Sequence, residues 1–198
     1  GRFLNDPYVL EHLKNADLAD GLEGWTVEPA ERGRRPSVDV RNVPGFGTLQ
    51  AKYHAPPGTG DTAFCTRRSR SKPNIVSQTI RRLTPGRLYS LRFITGDRGE
   101  LADGKSVRRK HAVSVNVGNV ELVDSKCFQA VVGSGYWQPY GGFDPGNPYW
   151  LNYHQRVFRA QADSAELRLT DWVSNDSAGG PEGEELLWNF IQVQPYFE

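Results

Sequence analysis

At 198 residues, 11% of them aromatic, the chain is long enough to bury a sizeable core, which argues against a disordered segment. Its 21 glycines and 13 prolines against 37% hydrophobic residues fit an all-β fold rich in turns better than a helical bundle. A formal net charge of +1 argues against a general nucleic-acid binder, and no apolar run is long enough to span a membrane.

Residues 1–12 read as a connector from a preceding domain, with a turn at Asn5-Asp6-Pro7. From Asn15 a polar turn runs to the step Gly24-Trp25 and enters the first strand, which places Trp25 in the core. Further strands are expected at 25–28, 37–41, 48–54 and 62–66; Leu49, Ala51 and Tyr53 alternate with Gln50, Lys52 and His54. Strands at 75–80 and 88–94 flank Pro85-Gly86 and read as a hairpin, with Leu91 and Phe93 on one face and Ser90 and Arg92 on the other. A polar loop over 97–110 follows. Next, 111–117 and 120–123 read as a second hairpin around Gly118-Asn119, and 133–150 as a long irregular stretch. Strands at 155–160 and 165–172, an acidic glycine-rich loop at 176–185 and a closing strand at 186–193 complete the chain. The opening and closing strands are expected to share a sheet, and Trp172 and Trp188 to be buried. No internal repeat or linker divides 13–198, so these residues form one β-sandwich.

The absence of Met and the abrupt start at Gly1 point to a piece of a larger protein. Cys65 and Cys127 are compatible with one disulfide in an oxidising compartment, and two isolated cysteines make no zinc site. Basic residues cluster at Arg32, Arg34 and Arg35, at Arg67, Arg68, Arg70 and Lys72, and at 108–110. Such clusters are ordinary solvated surface; arginine also pairs with carboxylate or sulfate through two parallel hydrogen bonds. Arg67 and Arg109 are the positions taken to meet an acidic ligand. The segment 135–150 is unusually aromatic, and exposed rings favour packing or binding. Tyr136, Trp137, Tyr140, Tyr149 and Trp150 are therefore the candidate ligand platform.

Three separated motifs carry a resemblance. Asn15 to Trp25, the run Ser77-Gln78-Thr79-Ile80 with Leu83-Thr84-Pro85-Gly86 and Tyr89-Ser90-Leu91, and Trp188-Asn189-Phe190-Ile191-Gln192-Val193 follow one another in order over residues 13–195. Together they resemble the galactose-binding-like jelly rolls, and more narrowly the carbohydrate-binding modules of bacterial polysaccharide-degrading enzymes. The resemblance implies a jelly-roll β-sandwich of two antiparallel sheets. It also implies a secreted, extracellular or periplasmic module that binds a polysaccharide or oligosaccharide and sits beside a catalytic domain of the same parent chain. No cofactor is required. Members of that group often hold a structural calcium between the first loop and the last strand. Here the family's opening Glu falls on Ala19 and its closing Asp on Asn189, a departure that leaves Asp17, Asp20 and Asn189 for the metal.

Catalysis finds little support. No nucleophile elbow or phosphate-cradling loop is present. Asp144, Asp171 and Asp176 are loop carboxylates, and Tyr153-His154 with Arg156 is the nearest approach to a lyase set. The reading is a non-catalytic glycan binder; the alternative is a β-sandwich that packs against a catalytic domain.

Overall fold

Short runs that alternate apolar and polar side chains form strands because successive residues on extended backbone point to opposite faces. The computed structural model describes residues 11–50, 58–134, 146 and 148–198. Its strands are β1 (Thr26–Glu28), β2 (Val38–Asn42), β3 (Thr62–Arg67), β4 (Ile75–Ile80), β5 (Leu88–Asp97), β6 (Ser114–Gly118), β7 (Val120–Leu122), β8 (Phe128–Ser134), β9 (Tyr149–Ala160), β10 (Ala165–Thr170) and β11 (Glu185–Pro195). Two short helices, α1 (Phe46–Gln50) and α2 (Arg98–Asp103), lie in the connections. Sheet A has the order β1-β4-β10-β6, and sheet B the order β2-β3-β11-β5-β9-β7 with β8 also paired to β9. Every pairing is antiparallel, so the architecture is the expected all-β sandwich.

One core lies between the sheets. Val76, Ile80, Leu167 and Leu169 of sheet A meet Phe64, Leu91, Phe93, Phe158 and Trp188 of sheet B, and Trp25 joins them. Trp188 is fully buried, stacked on Phe64 at 5.2 Å and Phe93 at 5.5 Å, and its indole N–H donates to Thr66 Oγ1 at 3.0 Å. Each such ring contributes about 1.5–3 kcal/mol by leaving water. Sheet A turns a polar row outward: Ser77 pairs with Arg168, and Arg168 with Asn116.

Sheet B is different, because its outer face carries a second core. Phe46, Leu49, Ala63, Cys65, Ile94, Tyr149, Leu151 and Leu187 pack there. Helix α1 supplies Phe46 and Leu49, three residues apart and hence on one helical face. Asp61 holds the start of α1, accepting from the backbone N–H of Gly45 at 3.2 Å and of Gly47 at 2.8 Å. Gly47 is required by close approach: a Cβ there would stand 1.8 Å from the Thr59 carbonyl oxygen.

Several expectations need correction. The strand expected at 48–54 begins as helix α1, while 51–57 lie outside the described residues. The 97–110 loop contains α2, whose first turn is capped by Asp97 and whose end is closed by Gly104 at φ 68°. Strand β8 rises from the edge of the stretch read as irregular. Neither predicted hairpin exists. β4 pairs with β1 and β10, whereas β5 pairs with β11 and β9. β5 is buried along nearly its whole length, Arg92 excepted, so it takes a central position in sheet B. The chain crosses between sheets here, pinned where the Thr84 N–H donates to Tyr89 Oη at 2.8 Å. β6 and β7 likewise join different sheets, the chain turning at Asn119 with φ 61°. The first and last strands lie in opposite sheets too, meeting only through the core. Both cysteines are free thiols, Cys65 in the second core and Cys127 with its sulfur accepting from the Val157 N–H at 3.4 Å.

Candidate functional site

Residues directly opposite in antiparallel strands project from the same face. Across sheet B the register aligns Gln192 with Arg92, Arg92 with Gln155, and Gln155 with Phe128, one residue each from β11, β5, β9 and β8. Their neighbours Leu91 and Phe93 enter the core between the sheets, so this row faces outward. The next row holds Ile94, Tyr153 and Ala130. Ile94 belongs to the second core and Tyr153 packs at its margin, as does Phe190. The register of β11 shifts between Asn189 and Gln192, and Phe190 takes φ 51° there. Its ring lies so close to Gly60 that a Cβ would stand 2.3 Å from Phe190 Cζ.

The outer face of sheet B is thus divided. Helix α1 closes over one part. Beside it lies an open row in which Arg92 is exposed and Phe128 is 46% exposed, bordered by the half-buried rings of Tyr153 and Phe190. Arg92 Nε donates to Gln155 Oε1 at 2.7 Å, and Gln155 Nε2 donates to the Lys126 carbonyl at 2.9 Å. These bonds hold an amide plane and one edge of a guanidinium in place. Arg92 has no ion-pair partner among the described residues. Gln155 is itself buried with both ends of its amide used, so the row offers a ligand ring faces beside the Arg92 guanidinium.

The residues singled out from sequence fall elsewhere. Tyr136, Trp137 and Tyr140 lie outside the described residues, as do Tyr53, His54 and Asp144. Tyr149 is completely buried in the second core, its hydroxyl donating to the Asp97 carbonyl at 2.7 Å, so it presents no face to a ligand. Trp150 is half-buried on the opposite side of β9, with the Arg108 guanidinium 5.3 Å from its ring. Arg67 pairs with Glu31 at 3.3 Å and donates to the Arg35 carbonyl. Arg109 is held by Asp97 at 2.8 Å and Glu184 at 2.5 Å. Both cations are thus ion-paired within the chain, Arg67 at the surface with exposed Glu31 and Arg109 with two more buried carboxylates. Arg92, Gln155, Gln192 and Phe128 were not singled out from sequence. The outward position of Arg92 was legible from the alternation of β5, but its alignment with the other three follows only from strand pairing.

Among the described residues, the other candidate groups do not converge either. Asp171 is fully buried, accepting from Asn74 N at 2.9 Å and Nδ2 at 2.7 Å, while burial pushes its carboxyl up. Tyr153 and His154 project from opposite faces of β9, because they are consecutive in a strand. His154 stacks on Phe93 at 4.3 Å in the interior, where Thr95 Oγ1 bridges its Nε2 and His111 Nδ1 at 2.8 Å each. Burial, with Arg109 adding to it, pushes His111 down to about 3, and burial also drives His154 well down. Burial and Glu184 push Asp97 up; Glu184, against its burial, is held down by hydrogen bonds from Asp97 and Arg68.

The residues present do not fit a calcium site between the first loop and the last strand. Asn15, at φ 48°, closes the opening turn by itself, its Nδ2 donating to the carbonyls of Gly21 and Glu23 and its Oδ1 accepting from Asp20 N. Asp17 accepts from Ala19 N at 3.1 Å, a turn bond within the same loop. Asn189 is committed elsewhere, donating from Nδ2 to the Gly60 carbonyl at 2.6 Å. No group of three acidic, His or Cys side chains converges among the described residues, so the several hard oxygens a calcium needs are not brought together there.

No family model matches the chain, and no curated protein does. Among solved structures, the enzymatically active domain of tailspike protein 4 from bacteriophage CBA120 superposes with a TM-score of 0.53 at 15% identity. The match covers 96% of this chain and 22% of that one, so this chain spans about a fifth of the tailspike. The module TmCBM61, in complex with β-1,4-galactotriose, gives 0.45 at 12% identity over 93% of this chain and 98% of that one. A candidate sugar-binding protein of Bacteroides thetaiotaomicron gives 0.46 at 12% identity, covering 93% and 99%. At these identities the likeness is one of fold.

Proposed function

We propose that the chain is a non-catalytic glycan-binding module and that the open row on sheet B is its binding face. The observation that carries this reading is the alignment of Gln192, Arg92, Gln155 and Phe128 across four strands, flanked by Tyr153 and Phe190. Pyranose rings present flat C–H faces edged by hydroxyls, and the row matches them with aromatic faces and a guanidinium that buried Gln155 holds in place. The aromatic segment 135–148 joins β8 to β9, so its sequence position connects it to two of the four strands of the row. The three sequence motifs support the narrower class, a galactose-binding-like jelly roll of a secreted polysaccharide-degrading protein. In that setting the module tethers a catalytic domain to its polymer, gaining through effective concentration rather than chemistry.

Electrophoresis through gels containing neutral, uronic or sulfated polysaccharides tests the reading. Retardation by at least one polymer, weakened in the folded Phe128→Ala variant, is the expected result. If no polymer retards the protein, the exposed Phe128 and Val132 of the edge strand are better read as a face that packs on a partner domain.

A further inference from the structure

On the outer face of sheet B, Arg92 has no carboxylate opposite it in register, whereas Arg159 faces Glu121. Towards one end of that face, Arg41 pairs with Asp39 and Glu185, and Arg98 pairs with Glu185 as well. Those cations are balanced within the fold. In the open row the partners of Arg92 in register are two glutamines, Gln192 and Gln155, and no carboxylate stands in that row. Its single hydrogen bond among the described residues uses Nε, toward Gln155 Oε1. That bond orients the guanidinium plane and occupies its side edge, so the end carrying Nη1 and Nη2 is what remains for a ligand. A guanidinium presented by its end forms two parallel hydrogen bonds to a pair of oxygens on one centre. A neutral sugar hydroxyl uses only one of them.

We infer that Arg92 recognises an anionic substituent of the glycan, a group with two acceptor oxygens on one centre, and so makes the module selective for a charged polysaccharide. This rests on the glycan-binding reading of the same face and narrows it to a ligand class. The division of labour is specific. Gln155 fixes the guanidinium, Phe128 and Tyr153 supply ring faces beside it, and the arginine reads the charge. It also moves the anion contact away from Arg67 and Arg109, whose charges are met by Glu31 and by Asp97 and Glu184. Two common substituents share this chemistry, the uronate carboxylate and the sulfate ester.

The test is calorimetric titration of the whole chain with matched polymers: polygalacturonate and its carboxyl-reduced form, and a sulfated galactan and its desulfated form. Binding to one charged member of a pair, weakened about tenfold in its neutral counterpart and in Arg92→Gln, is the expected result. The pair that shows it tells carboxylate from sulfate. Arg92→Lys keeps the charge without the fork, so it should recover only part of the loss. Arg92 is exposed, and an unchanged melting temperature of Arg92→Gln separates lost recognition from lost folding. Equal binding to charged and neutral members, untouched by Arg92→Gln, would overturn the inference while leaving glycan binding intact. Binding to none of the four would overturn the inference together with the glycan-binding reading on which it rests.

Discussion

Mild acidification should destabilise this protein through its interior histidines. His111 and His154 are 3% and 2% exposed and share one hydroxyl, Thr95 Oγ1. A hydroxyl donates one hydrogen bond and accepts others, so the chain of three works when one imidazole accepts and the other donates. Protonating the acceptor ring replaces that bond with two opposed donors and puts a charge into the core. Burial therefore pushes His111 down to about 3, with Arg109 and Arg68 reinforcing it and Asp97 opposing it. His154 is lowered by burial, by His111 and by Arg156. Between a pH of about 6.5, where the unfolded ring titrates, and the depressed folded value, the unfolded chain binds more protons. Stability is then complete above the unfolded value and is lost as pH falls. For His111 the loss between pH 7.5 and 5.0 is about 2 kcal/mol, and His154 adds in the same direction. Asp97, pushed up by burial and Glu184, works oppositely and blunts the fall where it titrates. Urea unfolding followed by tryptophan fluorescence at four pH values across this interval measures the slope. His154→Gln should lower stability at neutral pH and flatten the slope. A wild-type stability that stays level from pH 7.5 to 5.0, or a variant with the full wild-type slope, would refute the argument.

Two further outcomes follow from the same interior. Arg68→Ala should cost about 3–5 kcal/mol, because the Arg68 side chain is 0% exposed and its partner Glu184 would remain buried with the carbonyls of Asp171 and Ala112 bereft of donors. Thermal melting reads this as a drop on the order of 10 °C; a drop under 2 °C would show that Arg109 neutralises Glu184 unaided. Burial pushes the Cys65 thiol up to about 12, so in native protein near pH 8 a maleimide should leave it unlabelled. Mass spectrometry should find that thiol labelled only after unfolding, and prompt labelling in the native state would mean that α1 does not seal the second core.

How far the site was legible depended on the range of the interactions involved. The strand Ile75–Ile80 was bounded correctly because its alternation and the flanking turns are local. Trp25 and Trp188 were placed in the interior because each follows the pattern of an apolar strand or its entry. The ion pairs of Arg67 and Arg109 were not legible because their carboxylates are remote in sequence, Glu31 lying 36 positions from Arg67 and Glu184 75 positions from Arg109. Charge runs in a sequence report composition, and only folding reveals which charges have met.

Local periodicity by itself determined which side chains of each strand share a face, hence the all-β class, the buried tryptophans and the outward position of Arg92. Side-chain period is a property of extended backbone and needs no partner. Strand neighbours are another matter. Tight turns at Pro85-Gly86 and Gly118-Asn119 look alike whether the chain folds back or crosses the sandwich. The choice went to crossing, and β5, buried along its length except at Arg92, took a central place between β9 and β11. That pairing, decided by the tertiary structure, set Arg92 beside Gln155 and Gln192 and left Phe128 exposed at the end of their row.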